Sequence, residues 1–87
     1  MKEILHFTAD WCKPCEKMKP IIEEILKDYP NVSYGLYDVD TQHNIAHILS
    51  IRSVPTLVIM EGNHEVKRMV GAKTRDEIIE FFDVASQ

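Results

Sequence analysis

Ile4-Leu5-His6-Phe7-Thr8-Ala9-Asp10-Trp11-Cys12-Lys13-Pro14-Cys15 carries the chain out of an apolar strand pattern and into a helical one, with two thiols one helical turn apart at the junction. Ile4 to Phe7 reads as a short buried strand and Thr8-Ala9-Asp10 as the loop that follows it. A Cys-X-X-Cys pair placed after a strand and at the head of a helix points to redox chemistry rather than to a metal clip. A thiol at a helix N-terminus faces unsatisfied backbone N–H groups and the positive end of the helix dipole, and both favour thiolate over thiol. Cys12 is expected in that position, with a pKa below the usual value of about 8.5. Cys15, one turn further in, is expected to be less exposed. Cys12 is then the nucleophile and Cys15 the resolving thiol of a thiol–disulfide exchange. Pro14 suits the first helical turn, where the N–H it lacks would have no partner.

Working outward, the apolar residues Met18, Ile21, Ile22, Ile25, Leu26 and Tyr29 recur at helical spacing from Pro14 to about Asp28, and Tyr29-Pro30-Asn31 ends that helix. Val32 to Val39 reads as a second strand. A short helix is expected from about Gln42 to Leu49, with Ile45, Ile48 and Leu49 inward. Pro55 to Met60 is a continuous apolar run of strand length, Glu61-Gly62-Asn63 a turn, and Glu65 to Val70 a charged strand suited to a sheet edge. Thr74 and Glu77 form a capping-box pattern ahead of a last helix whose inward residues are Ile78, Phe81, Phe82 and Ala85. The order is βαβαββα. A βαβ unit takes a parallel, right-handed crossover, whereas the closing ββ pair forms a hairpin. The expected fold is α/β: one four-stranded mixed sheet with helices on both faces.

Composition is consistent with this. Eighty-seven residues, 45% of them hydrophobic, suffice for one core, so a single domain over residues 1–87 is expected. A formal net charge of -4 argues against nucleic acid or an anionic membrane as the main partner. The sequence holds no signal-peptide h-region and no bilayer-length apolar run, so the cytoplasm is the expected compartment. Two cysteines in a reducing compartment point to catalysis rather than structural stapling.

Trp11-Cys12-Lys13-Pro14-Cys15, Pro20 five residues beyond, and Ile51-Arg52-Ser53-Val54-Pro55-Thr56 ahead of the third strand make the chain resemble a thioredoxin over almost its whole length. The usual N-terminal strand and helix are missing from the pattern, so the minimal, glutaredoxin-sized version of the fold is expected. Glutaredoxins carry Pro-Tyr between the cysteines and a Gly-Gly pair after the third strand. Here Lys13-Pro14 and isolated glycines stand instead.

The resemblance implies a thioredoxin-type reductase of protein disulfides with a reversible Cys12–Cys15 pair. It would bind no cofactor, act as a monomer on disulfide-containing proteins, and be recycled in trans by a flavin- and NADPH-dependent thioredoxin reductase. A glutaredoxin-like or oxidase/isomerase activity, or a thioredoxin-like binding subunit, are the alternatives. The resemblance also implies a cis Val54–Pro55 peptide facing the disulfide, with the Val54 backbone offered to an extended substrate; the plain reading of Pro55 is a trans residue opening a strand. Trp11 becomes an apolar platform beside Cys12 with Asp40 as partner of its indole N–H, against the plainer readings of a half-buried core aromatic and a helix N-cap. Gly71 falls on the substrate-facing surface or serves as a turn glycine.

Three departures from the family stand out. His6 occupies the place of a buried aspartate that assists proton transfer at the second cysteine, and Leu36 that of its companion lysine. An imidazole there is either a proton relay for Cys15 or a buried, hydrogen-bonded neutral group. Lys13 replaces a common glycine and either favours the Cys12 thiolate or points into solvent. His43 and His47 share an i, i+4 spacing, but with no third ligand nearby they read as a solvated helix face, and two cysteines without a second pair do not make a structural zinc site. No metal site is expected.

Overall fold

A computed structural model describes residues 2–87. The elements run β1 (Lys2–Thr8), α1 (Lys13–Leu26), β2 (Ser33–Asp38), α2 (His43–Ile48), β3 (Thr56–Glu61), β4 (His64–Val70) and α3 (Arg75–Ser86). They form one sheet in the order β2-β1-β3-β4, with β1 and β2 parallel and the β1–β3 and β3–β4 pairs antiparallel. The expected βαβαββα order and mixed sheet are therefore present.

Covering both faces of the sheet explains the uninterrupted apolar runs in β1 and β3, because a strand buried on both sides has no polar side to show. Ile4 of β1 and Leu57 and Ile59 of β3 pack with Met18, Ile22 and Ile25 of α1 and Ile78, Phe81 and Phe82 of α3. On the other face Leu5, Phe7, Val58 and Met60 pack with Ala46 of α2. The charged strand β4 is an edge, as its sequence suggests. The capping box is complete: the Glu77 N–H donates to Thr74 Oγ1 at 3.2 Å, and Glu77 Oε1 accepts from the Thr74 N–H at 3.0 Å.

The second helix departs from expectation. Ala46 is its buried residue, Ile45 and Leu49 are half-buried, and Ile48, expected inward, is 76% exposed. At about 100° per residue, turning Ala46 onto the sheet leaves Ile45 and Leu49 flanking the contact and carries Ile48 to the far side. An alanine allows close approach to the sheet, and six residues are too few for periodicity to separate the two faces. The helix closes with a Schellman pattern: the Ile51 N–H donates to the Ala46 carbonyl at 2.8 Å and the Ser50 N–H to the His47 carbonyl at 3.0 Å. Ser50 takes the left-handed position at φ 55°, where glycine is usual. Arg68 of β4 reaches across to donate to the Leu49 carbonyl at 2.6 Å while gripping Glu65.

Candidate active site

Central strand β1 ends at Thr8, and a tight loop returns the chain: the Cys12 N–H donates to the Ala9 carbonyl at 3.1 Å. Cys12 is the N-cap of α1, in an extended conformation (φ -92°, ψ 105°), and its Sγ accepts the Cys15 N–H at 3.2 Å. Lys13 and Pro14 supply the first two helical residues, so the proline costs the helix no hydrogen bond. Cys12 and Cys15 are disulfide-bonded with Cα atoms 5.3 Å apart. The expected contrast in exposure is absent: Cys12 is 4% and Cys15 2% exposed. Both sulfurs are tied to each other under a small apolar cover of Ala9, Val39 and Val54.

The loop before β3 forms the opposite wall. Val54–Pro55 is a cis peptide, which corrects the plain trans reading of Pro55. Thr56 Oγ1 donates to the Ser53 carbonyl at 2.8 Å, fixing the loop from below. The Gly71 N–H donates to the Pro55 carbonyl at 2.8 Å with Gly71 at φ 89°, so the turn after β4 is stitched to the cis-proline loop. Gly71 is thus a turn glycine that also lies at the site.

Trp11 is 67% exposed, which corrects the half-buried core reading. Its Nε1–H donates to Asp40 Oδ2 at 2.8 Å. Asp40 is not a helix cap, since the N-cap of α2 is Gln42, which makes no side-chain capping bond. Trp11, Val39, Ile51 and Val54 line a cavity of about 120 Å³ beside the disulfide. Lys13 extends into solvent, its Nζ 4.0 Å from Glu16 Oε2. A pair this exposed and this long adds little.

His6 is fully buried in β1, the strand that leads into the Cys12 loop. Its Nδ1 lies 2.6 Å from the Tyr34 hydroxyl, and its Nε2 has no hydrogen-bond partner among the described residues. The strand register explains the contact. Ile4 pairs with Tyr34 and His6 with Leu36, so Tyr34 and His6 share a sheet face. Burial, with a smaller contribution from the Lys19 charge on α1, pushes the His6 pKa from 6.5 down to about 4. The imidazole is neutral at pH 7. Burial, and to a lesser degree the Glu23 charge, drives the Tyr34 phenol above its usual range. Tyr34 was not legible as a site residue, because its role depends on a register that sequence alone does not give. His43 and His47 are exposed on α2, and no group of three or more His, Cys, Asp or Glu side chains among the described residues gathers at metal-holding distance.

A disulfide at a helix N-cap, faced by a cis-proline loop and flanked by an exposed indole, is a thiol–disulfide exchange geometry, and the thioredoxin family model matches residues 1–84. The chain belongs to the thioredoxin family. It is 40% identical to a thioredoxin of Buchnera aphidicola subsp. Acyrthosiphon pisum over 81 residues, covering 92% of this chain and 75% of that one. It is 36% identical to an H-type thioredoxin of Fagopyrum esculentum, covering 87% of this chain and 65% of that one. Among solved structures, thioredoxin NaTrxh of Nicotiana alata superposes with a TM-score of 0.91 at 30% identity, over 99% of this chain and 74% of that one. These thioredoxins thus run longer than the segment they share with this chain. The family assignment makes the chain a thiol–disulfide oxidoreductase of the protein disulfide reductase type, with Cys12–Cys15 as its redox-active pair. No helix among the described residues is long and apolar enough to cross a membrane.

Proposed function

We propose that this single-domain thioredoxin reduces disulfides in cytoplasmic proteins as a monomer and is recycled by a separate flavin- and NADPH-dependent thioredoxin reductase. The observation that carries the reading is the Cys12 Sγ at the N-cap of α1, accepting the Cys15 N–H. In the reduced protein the same amide and the helix dipole favour the Cys12 thiolate. That thiolate attacks one sulfur of the substrate disulfide, forming a mixed disulfide and expelling the first substrate thiolate. The Cys15 thiolate then attacks Cys12 Sγ, expels the second substrate thiolate and closes Cys12–Cys15, so two electrons pass to the substrate. The reductase returns two electrons to the pair. A protein of Mycobacterium leprae named bifunctional thioredoxin reductase/thioredoxin, 35% identical over 87% of this chain and matched over 17% of its own length, supports pairing with such a reductase.

The substrate binds in extended form on the Val54 backbone, with Trp11, Pro14, Pro55 and Gly71 around the attacked sulfur; Asp40 holds Trp11 and Lys13 lies at the rim. His6 is the proton relay for Cys15. A neutral buried imidazole whose Nε2 has no partner among the described residues supports that role. The test is NADPH turnover through purified thioredoxin reductases against a glutathione system, using insulin as the disulfide substrate. Turnover with a thioredoxin reductase and loss of it in Cys12→Ser are expected. Reduction by glutathione alone would instead make the chain glutaredoxin-like, and insulin reduction retained in Cys12→Ser would remove the cysteine pair from the reaction.

A further inference from the structure

Although the chain carries fourteen carboxylates against ten lysines and arginines, the charge around the disulfide is divided by side, with Asp10 and Glu16 lining a cavity on the Cys15 side and cations gathered on the Pro14 side. A groove of about 330 Å³ opens on the Pro14 side, with Pro14, Ile21 and Ala72 as its apolar lining and Lys13, Lys17 and Lys73 at its rim. The cavity on the Trp11 side contributes Arg52. Four of the ten cationic side chains therefore line these last two cavities, and none of the lining residues in either is acidic. The groove joins the site through the backbone. Lys13 and Pro14 directly follow Cys12, and Ala72 and Lys73 directly follow Gly71, whose N–H bonds Pro55. Of the nearby carboxylates, Glu16 lines the separate cavity on the Cys15 side with its Oε2 4.0 Å from Lys13 Nζ, Asp40 accepts from the Trp11 indole, and Glu77 is bound back onto Thr74.

We infer that this groove selects the disulfide substrate, and that the preferred partner presents an acidic segment with apolar side chains next to its disulfide. The inference rests on the reductase reading above and adds the substrate class. A small cationic concavity on an acidic domain attracts acidic segments and repels basic ones at the one place where exchange occurs, while the acidic remainder of the surface turns acidic partners away elsewhere, so it acts mainly on the orientation and rate of encounter. The apolar floor accepts the side chains between the acidic ones. Lys17 and Lys73 are the specificity residues furthest from the sulfur chemistry, and changing them reads the groove with the least effect on thiol reactivity.

The experiment uses the protein reduced with dithiothreitol, then freed of it, and two synthetic peptides with one intramolecular disulfide each, identical except that three Glu in one replace three Lys in the other. Second-order rates of reduction are measured for each and divided by the same protein's rate on an uncharged disulfide, 2-hydroxyethyl disulfide. For the wild type an acidic-to-basic ratio of about ten or more is expected in dilute buffer, falling toward one in 0.5 M salt as the charges are screened. In Lys17→Glu/Lys73→Glu the ratio is expected at or below one. A wild-type ratio near one in dilute buffer overturns the inference. So does an acidic preference that the double variant keeps, because the selectivity would then come from elsewhere on the surface. Failure of the wild type to reduce the uncharged disulfide at all would sink the reductase reading itself.

Discussion

His6 makes the fold acid-labile in a way that can be calculated. The folded chain refuses a proton at this imidazole until about pH 4, whereas the unfolded chain accepts it near 6.5. Between those values the unfolded state binds more protons, so stability falls as pH falls through the window. A shift of this size corresponds to at most about 3.4 kcal/mol, of which about 1.4 kcal/mol is lost by pH 5.5 and about 2.5 kcal/mol by pH 4.5. That is a large part of the few kcal/mol a domain this small commands. The perturbation is His6→Leu, which removes the titrating group. Urea unfolding of the oxidised proteins at pH 7.5, 6.5, 5.5 and 4.5 gives the difference between wild type and variant at each pH. Glu65 and Glu77, whose carboxyls are held below their usual range mainly by Arg68 and Thr74 respectively, also lose stability on acidification, but they do so in both proteins and cancel. The offset at pH 7.5 reflects packing and the stranded Tyr34 hydroxyl; only its change with pH reports His6. The variant should gain about 2.5 kcal/mol on the wild type from pH 7.5 to 4.5. A difference that stays flat refutes the buried, neutral imidazole. The same variant tests the relay: resolution of a Cys12 mixed disulfide should slow about 10²-fold, and an unchanged rate discards that role.

The remaining expectations concern neighbouring features. In the reduced protein at neutral pH, Cys12 should alkylate at least about tenfold faster than Cys15, followed by mass spectrometry of the modified peptides; equal rates would overturn the assignment of nucleophile. Tyr34→Phe should cost about 1–2 kcal/mol in urea unfolding, since it leaves His6 Nδ1 buried without its partner, and a neutral effect would show that the 2.6 Å contact contributes nothing. Ser50→Gly should raise stability by about 0.5–1 kcal/mol, or roughly 3–6 °C in Tm, by relieving the left-handed serine; a loss would mean that Ser50 makes a compensating contact. Thr74→Ala should cost about 1 kcal/mol by removing half of the capping box, and Thr74→Ser should restore most of it.

Where an element is long or buried on both faces, the sequence was enough to read it. α1 and α3 show several turns of helical spacing with caps, β1 and β3 show unbroken apolar runs, and the two cysteines mark the strand-to-helix junction. The cis peptide at Pro55 and the partnership of Trp11 with Asp40 came from the family resemblance, as neither follows from the residue types. What could not be read depends on rotation or register. α2 is too short for its periodicity to tell Ala46 from Ile48, and Tyr34 meets His6 only because β2 pairs with β1 in one particular alignment. The lysine groove was hidden for a related reason: Lys17 and Lys73 are 56 positions apart in sequence and meet only because α1 lies beside the turn after β4.

The sulfur that reacts is also the sulfur that caps α1. Opening the disulfide leaves a thiolate at the head of the helix, a stronger acceptor for the Cys15 amide than a disulfide sulfur is. Folding and electron transfer thus form one thermodynamic cycle. Whatever the reduced fold gains over the oxidised fold at that cap reappears as an equal preference of the folded pair for electrons, at about 30 mV for each 1.4 kcal/mol. Any substitution in the first turn of α1 that alters the cap therefore retunes the electron affinity of the protein, even if it never meets a substrate.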